Sequence, residues 1–131
     1  MTNVRPRTDC PRVLIVDDDS LIRDLVKTVL EDENYILEEA HDGRQALDLA
    51  REHVPDIVLL DVMMPGLNGF VVARELRRDL GPDCVIIMLS ACDQASDKDE
   101  GIRAGANAYF TKPFHPLELL DAVAEAANGR L

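Results

Sequence analysis

No apolar run in this chain approaches the roughly 20 residues that a membrane-crossing helix needs, and no hydrophobic segment opens it. No membrane-spanning helix is expected within these residues, and the cytosol is the expected setting. Basic residues are scarce: 14 Lys and Arg stand against 25 Asp and Glu, a formal net charge of -11. A surface of that sign repels phosphate backbones and anionic lipid, so direct nucleic-acid or membrane binding by these residues is not expected. A cationic partner or a metal ion suits it better. The three cysteines, Cys10, Cys84 and Cys92, are odd in number and lack metal-ligand spacing, which leaves reduced thiols as the reading. Low-complexity tracts are missing too, and 131 residues with 47% hydrophobic content leave room for one core but not two. Residues 1–11, MTNVRPRTDCP, are polar, aperiodic and carry two prolines. They are expected to be a disordered leader to a single domain spanning 12–128.

The stretch DIVLLDVMMPGLNG, 56–69, organises what is present. Its short apolar run stops at a carboxylate, Asp61, and runs into Pro65, Gly66 and Gly69, so Asp61 stands at the tip of a buried strand. The same pattern recurs along the chain. Residues 13–16 are continuously apolar and end in Asp17, Asp18 and Asp19. From Ser20 the period lengthens, and Leu21, Ile22, Leu25, Val26, Val29 and Leu30 mark one face of a helix reaching to Asn34. Residues 35–40 read as a second strand. Asp42 and Gln45 resemble a capping box opening a helix that must stop before Pro55. Residues 70–80 predict a helix with Val72, Ala73, Leu76 and Leu80 inward, ended by Gly81 and Pro82. A fourth strand over 84–89 is terminated by Ser90. Residues 93–105 predict only a marginal helix, with Ile102 as its one large apolar residue and Gly101 interrupting it. Residues 108–111 form a fifth strand leading to Lys112 and Pro113. Pro116 opens a last helix with Leu117, Leu120 and Val123 or Ala124 inward.

Five strands alternating with five helices predict an α/β fold, a doubly wound five-stranded parallel sheet with helices on both faces. Ligands of such sheets bind beyond the carboxyl ends of the strands. The polar interruptions gather there: Asp17 and Asp18, Asp61, Ser90 and Lys112. Three converging carboxylates repel one another, so either one holds a proton or a divalent cation lies among them. Oxygen ligands without His or Cys favour Mg2+, with Mn2+ as substitute. Mg2+ is usually shared with a phosphate, while Lys112 and the Ser90 hydroxyl could hold phosphoryl oxygens and a carboxylate could act as nucleophile. Taken singly these residues have plainer roles. Asp17 to Asp19 could cap a helix, Ser90 and Lys112 could be turn residues, and Tyr109 an ordinary strand residue. Their joint occurrence at four strand ends favours phosphoryl chemistry.

These residues also resemble the receiver domain of two-component response regulators. The likeness runs from Arg12 to about Asn128 and rests on VLIVDDD, on D-x-x-M-P-x-x-x-G at 61–69, on Ser90 with Ala91, and on GANAYFTKPF at 105–114. It implies strand order 2-1-3-4-5, the flavodoxin-like arrangement of chemotaxis receivers, which periodicity does not provide. It implies that Asp61 takes a phosphoryl group from the phosphohistidine of a histidine kinase or phosphotransfer protein. It further implies Mg2+ held by Asp18, Asp61 and the backbone carbonyl of Met63, with Asp17 acting mostly through water. Lys112, Ser90 and the backbone N–H of Ala91 would hold the phosphoryl group, and the bond before Pro113 would be cis. Ser90 and Tyr109 would then form a switch that remodels the face of helix four, strand five and helix five. Such a chain is a regulatory phosphoacceptor rather than an enzyme.

The chain departs from that pattern in places. His115 stands where a small cap is usual, and Ala108 replaces an acid common in receivers that dimerise through the switch face, so a phosphorylation-dependent homodimer of that form is not implied. Met63 and Cys92 occupy positions that influence phosphoryl loss, and neither can orient attacking water, which predicts slow self-dephosphorylation. Two other classes compete. VLIVDDD also fits a haloacid-dehalogenase-like phosphatase with Asp17 as nucleophile and Asp19 as acid/base, although Glu118, Asp121 and Glu125 are spaced as one helix face rather than as a metal-binding pair. The alternative is a phosphorylation-independent docking module.

Overall fold

The apolar runs that end in polar residues all become parallel strands, each reaching its neighbour through a helical crossover; residues 13–16, 57–61 and 85–90 are buried throughout, whereas 108–111 are half-buried. The computed structural model describes residues 10–64, 66, 68–91 and 95–129; residues 1–9 of the expected leader, Pro65, and Cys92 with its expected effect on phosphoryl lifetime lie outside them. The elements are β1 (Arg12–Val16), α1 (Ser20–Leu30), β2 (Ile36–Ala40), α2 (Gly43–Glu52), β3 (Ile57–Asp61), α3 (Gly69–Leu80), β4 (Val85–Ser90), α4 (Ala95–Arg103), β5 (Ala108–Thr111) and α5 (Pro116–Ala127). The sheet order is β2-β1-β3-β4-β5. Both the doubly wound class and the order 2-1-3-4-5 are as anticipated. No helix among the described residues is long and apolar enough to cross a membrane.

The two-residue period of the strands sorts the core into layers. Leu14, Val16, Val58, Leu60, Ile86 and Met88 face α2 and α3, meeting Ala46, Leu47, Val72, Ala73 and Leu76. Val13, Ile15, Ile57, Leu59, Ile87 and Leu89 face α1 and α5, meeting Val26, Leu30, Leu119 and Val123. Each large aliphatic side chain fully buried in these layers contributes about 1.5–3 kcal/mol. The register then brings the polar tips level: Val16 pairs with Leu60, Asp61 with Leu89, and Ser90 with Thr111.

Three expectations need correction. The α1 helix ends at Leu30, not Asn34, and Leu21 and Leu25 are 75% and 43% exposed. Its buried stripe is narrower than the apolar pattern implied: Val26 and Leu30 are buried, with Ile22 and Val29 partly buried beside them. In α5, Leu117 is 61% exposed, whereas Leu119, Ala122, Val123 and Ala126 face the core. This helix is apolar around most of its circumference, so its rotation is decided by docking on the core rather than by its own pattern. In α4, Ile102 is largely exposed, and among the described residues it is Gly101 that lies against the sheet. A Cβ on Gly101 would lie 3.0 Å from Tyr109 Cδ2 and 3.2 Å from Met88 Sδ. The glycine that weakens the helix is thus what lets it approach the sheet.

Gly69 plays a stricter part. Its N–H donates to the Val62 carbonyl at 3.0 Å, closing the turn after β3, and an added Cβ would sit 2.5 Å from the Asp61 carbonyl oxygen. Alanine would gain up to about 1 kcal/mol of helix propensity, but the backbone clash outweighs that gain. Gly69→Ala should lower the urea-unfolding free energy by about 2 kcal/mol, whereas Gly66→Ala, with open space around its Cβ but φ at 84°, should cost about 1 kcal/mol.

Candidate functional site

The acidic triplet after β1 divides into three different environments. The Asp17 N–H donates to the Ala40 carbonyl at 3.1 Å, holding the residue against the end of β2. Its buried carboxylate accepts the Asp19 N–H at 2.9 Å and the Lys112 ammonium at 2.7 Å. Asp18 is exposed, and among the described residues no hydrogen bond holds its side chain. Asp19 is the N-cap of α1, its Oδ1 accepting from Leu21 N–H at 2.9 Å. For Asp19, then, the capping role holds.

Asp61 ends β3 and is 4% exposed. Its Oδ1 accepts the Met63 N–H at 3.2 Å and lies 3.4 Å from Lys112 Nζ. Oxygen atoms of Asp17, Asp18 and Asp61 all lie within 4.8 Å of one another. Ser90 is fully buried at the end of β4, and its carbonyl accepts the Lys112 N–H at 2.6 Å. Ala91 follows at the exposed rim. The Lys112–Pro113 peptide is cis. Tyr109 is half-buried beside Met88 and Gly101, on the α4 side of the sheet. His115 caps α5, its Nδ1 accepting the Leu117 N–H at 3.1 Å. Glu118, Asp121 and Glu125 instead line a groove with Phe110, apart from the acid cluster.

Burial, followed by repulsion from Asp17, pushes the Asp61 carboxyl up to about 6, against the opposing pull of Lys112 and the Met63 N–H. Burial is also the largest influence on Lys112 and acts to lower it, but the Asp17 hydrogen bond and the charges of Asp61 and Asp17 together raise it above its ordinary value. With all four groups ionised, the pocket carries two uncompensated negative charges. A divalent cation would balance them, and an all-oxygen donor set without nitrogen or sulfur fits Mg2+ or Mn2+ rather than zinc.

Two residues outside the sequence-predicted set connect to this site, Arg23 directly and Glu39 through Arg23. Arg23 Nη1 donates to the Asp17 carbonyl at 2.7 Å, while its Nε donates to Glu39 at 2.9 Å. Glu39 is held below the usual carboxylate range, first by the Lys27 hydrogen bond and then, against burial, by Arg23. The legible signal was a strand, β2, that carries two consecutive glutamates, both half-buried.

The chain matches the family model described as the response regulator receiver domain over residues 13–124. Among curated proteins it is 47% identical over 109 residues to "Response regulator MprA" of Mycolicibacterium vanbaalenii, covering 83% of this chain and 47% of that protein. It is 44% identical over 114 residues to "DNA-binding dual master transcriptional regulator RpaA" of Synechocystis sp., covering 86% and 47%. The chain thus spans about half the length of these relatives. Among solved structures, the Francisella response regulator 1452 receiver domain superposes with a TM-score of 0.85 at 34% identity, covering 92% of this chain and 99% of that one. The chemotaxis protein CheY4 of Vibrio cholerae gives 0.83 at 35% identity, covering 89% and 98%.

A raised Asp61 makes stability depend on pH. Between about pH 4 and pH 6 the folded chain holds a proton that the unfolded chain releases, so the contribution of this group is fully present below about pH 4 and is lost as pH rises through about 6. Without divalent metal, Asp61→Asn should therefore be more stable than the parent at pH 7.5 by about 2 kcal/mol, with the difference closing near pH 4 in urea titrations.

Proposed function

The chain belongs to the response regulator receiver domain family of two-component signalling, and from that premise we propose that Asp61 is its phosphoacceptor within a Mg2+-dependent switch. The observation that carries the reading is the convergence of Asp17, Asp18 and Asp61 within 4.8 Å, with Lys112 Nζ at 2.7 Å from Asp17 and 3.4 Å from Asp61. Asp18, Asp61 and the Met63 carbonyl would hold the ion, with Asp17 acting mostly through water; the bound ion supplies the charge that offsets crowded carboxylates and phosphoryl oxygens.

The donor is the phosphohistidine of a sensor kinase or phosphotransfer protein, in a cytosolic setting. A carboxylate oxygen of Asp61 forms the new O–P bond while the N–P bond breaks, and the departing imidazole takes a proton from solvent. Lys112, already between Asp17 and Asp61, pairs with the transferred group. The Ser90 hydroxyl and the Ala91 N–H hold its remaining oxygens. Phosphorylation adds about 1.5 to 2 negative charges at one buried point. Ser90 and Tyr109 answer by moving together, and α4, which touches the sheet through Gly101 rather than a large side chain, yields. What the remodelled α4, β5 and α5 face controls, whether an attached output or a phosphorylation-dependent homodimer, belongs to the longer proteins this chain resembles. A phosphatase centred on Asp17 is disfavoured because Asp19 is engaged as a helix cap.

Acetyl phosphate with Mg2+ should add a single phosphoryl group by intact mass, and Asp61→Asn should abolish it. Multiple turnover dependent on Asp17 would support the phosphatase, and no adduct would support the docking module. Tyr35→Phe leaves Tyr109 as the sole tyrosine in a chain without tryptophan. In that background Tyr109 fluorescence should respond to phosphorylation, and Ser90→Ala should remove the response. With the exposed Met63 side chain unable to orient water, the phosphorylated form should persist in Mg2+ for minutes or longer; loss within seconds would contradict the scheme.

A further inference from the structure

We propose that Arg23 is a positioning residue for the acid pocket: it holds the backbone of Asp17, Glu39 and Lys27 hold Arg23, and this brace sets the Mg2+ affinity of the site. The proposal rests on the Mg2+ reading above. Asp17 is tied at both ends, its N–H to the Ala40 carbonyl at 3.1 Å and its carbonyl to Arg23 Nη1 at 2.7 Å. That carbonyl shares a rigid peptide plane with the Asp18 nitrogen, so fixing it fixes the direction in which Asp18 leaves the chain. Asp18 depends on this, because it is exposed and among the described residues no hydrogen bond holds its carboxylate.

Arg23 can do this because its guanidinium is a planar fork. One edge reaches Asp17 while Nε donates to Glu39 Oε1 at 2.9 Å, and Lys27 Nζ meets Glu39 Oε2 at 2.6 Å. A lysine ammonium is a point charge on a flexible stem and cannot reproduce both contacts in one plane. The brace is also close to neutral. Arg23 and Lys27 are countered by Glu39 and by Asp24, 3.5 Å from Lys27, so its effect on the pocket is geometric rather than a cation repelling a cation.

Magnesium chloride titrations of the whole chain, followed by amide NMR shifts, test this against a purely structural strut between α1 and β2. Arg23→Lys and Arg23→Met should each weaken Mg2+ binding about tenfold in protein shown to be folded, with faster amide exchange at Asp18. Glu39→Gln should act in the same direction by a smaller factor, and it keeps the test open should Arg23→Met fail to fold. Affinity within twofold of the parent in Arg23→Lys and Glu39→Gln, with only urea stability reduced, would overturn the brace. Asp18→Asn is the control. If it too binds Mg2+ like the parent, the Mg2+ reading fails and the brace with it; if it loses binding while Arg23→Lys keeps it, the brace alone fails.

Discussion

Repulsion among three carboxylates is the constraint around which this molecule is arranged. At separations below 5 Å, with two of the three groups buried, each ionised pair costs free energy that water would otherwise screen. Lys112, following β5, offsets part of this, and the remainder leaves Asp61 with a raised affinity for protons. The same imbalance is what a doubly charged ion would relieve, and it is the basis on which one carboxylate is proposed for modification. A pocket relaxed in its resting form would have less to gain from either.

Such strain persists only on a stiff support. Two aliphatic layers clamp the central strands, with Val13, Leu60, Ile86 and Ile87 among the side chains that lose all contact with solvent. Stiffness is nevertheless uneven. Arg77 on α3 donates to the carbonyls of Gly81, Cys84 and Gly105 and to Asn107, knitting the start of β4 to the turn before β5. Beyond that knot, among the described residues α4 has little apolar side chain against the sheet and rests on it through Gly101. A rigid acid pocket beside a loosely held helix is the arrangement by which a local charge change becomes a surface change.

The curated relatives are about twice as long as this chain, and the likeness covers their receiver portion. What the domain does to a partner is therefore a property of its surface. The acidic α5 and the half-buried Ala108 give that surface a character of its own. Net charge of -11 argues that any nucleic-acid contact made by a longer protein is made elsewhere.

Strand tips, helix positions and the residues of the pocket were legible in the chain itself, because a buried parallel strand must be continuously apolar and the first polar side chain marks where the strand reaches the rim of the sheet. Asp61, Asp17, Asp18, Ser90 and Lys112 stand out for that reason. Strand order came from resemblance, since periodicity says nothing about neighbours. Helix rotation was beyond reach: Leu117 and Leu119 are equally apolar, and only docking on the sheet chose Leu119. Gly101 read as a flaw until Tyr109 and Met88 were placed against it. Nothing in the sequence pattern pairs Arg23 with Glu39, because their meeting depends on α1 crossing beside β2. Local patterns declare which side chains must leave water, whereas the partners they meet on arrival are decided by the tertiary fold, where distance in sequence no longer limits contact.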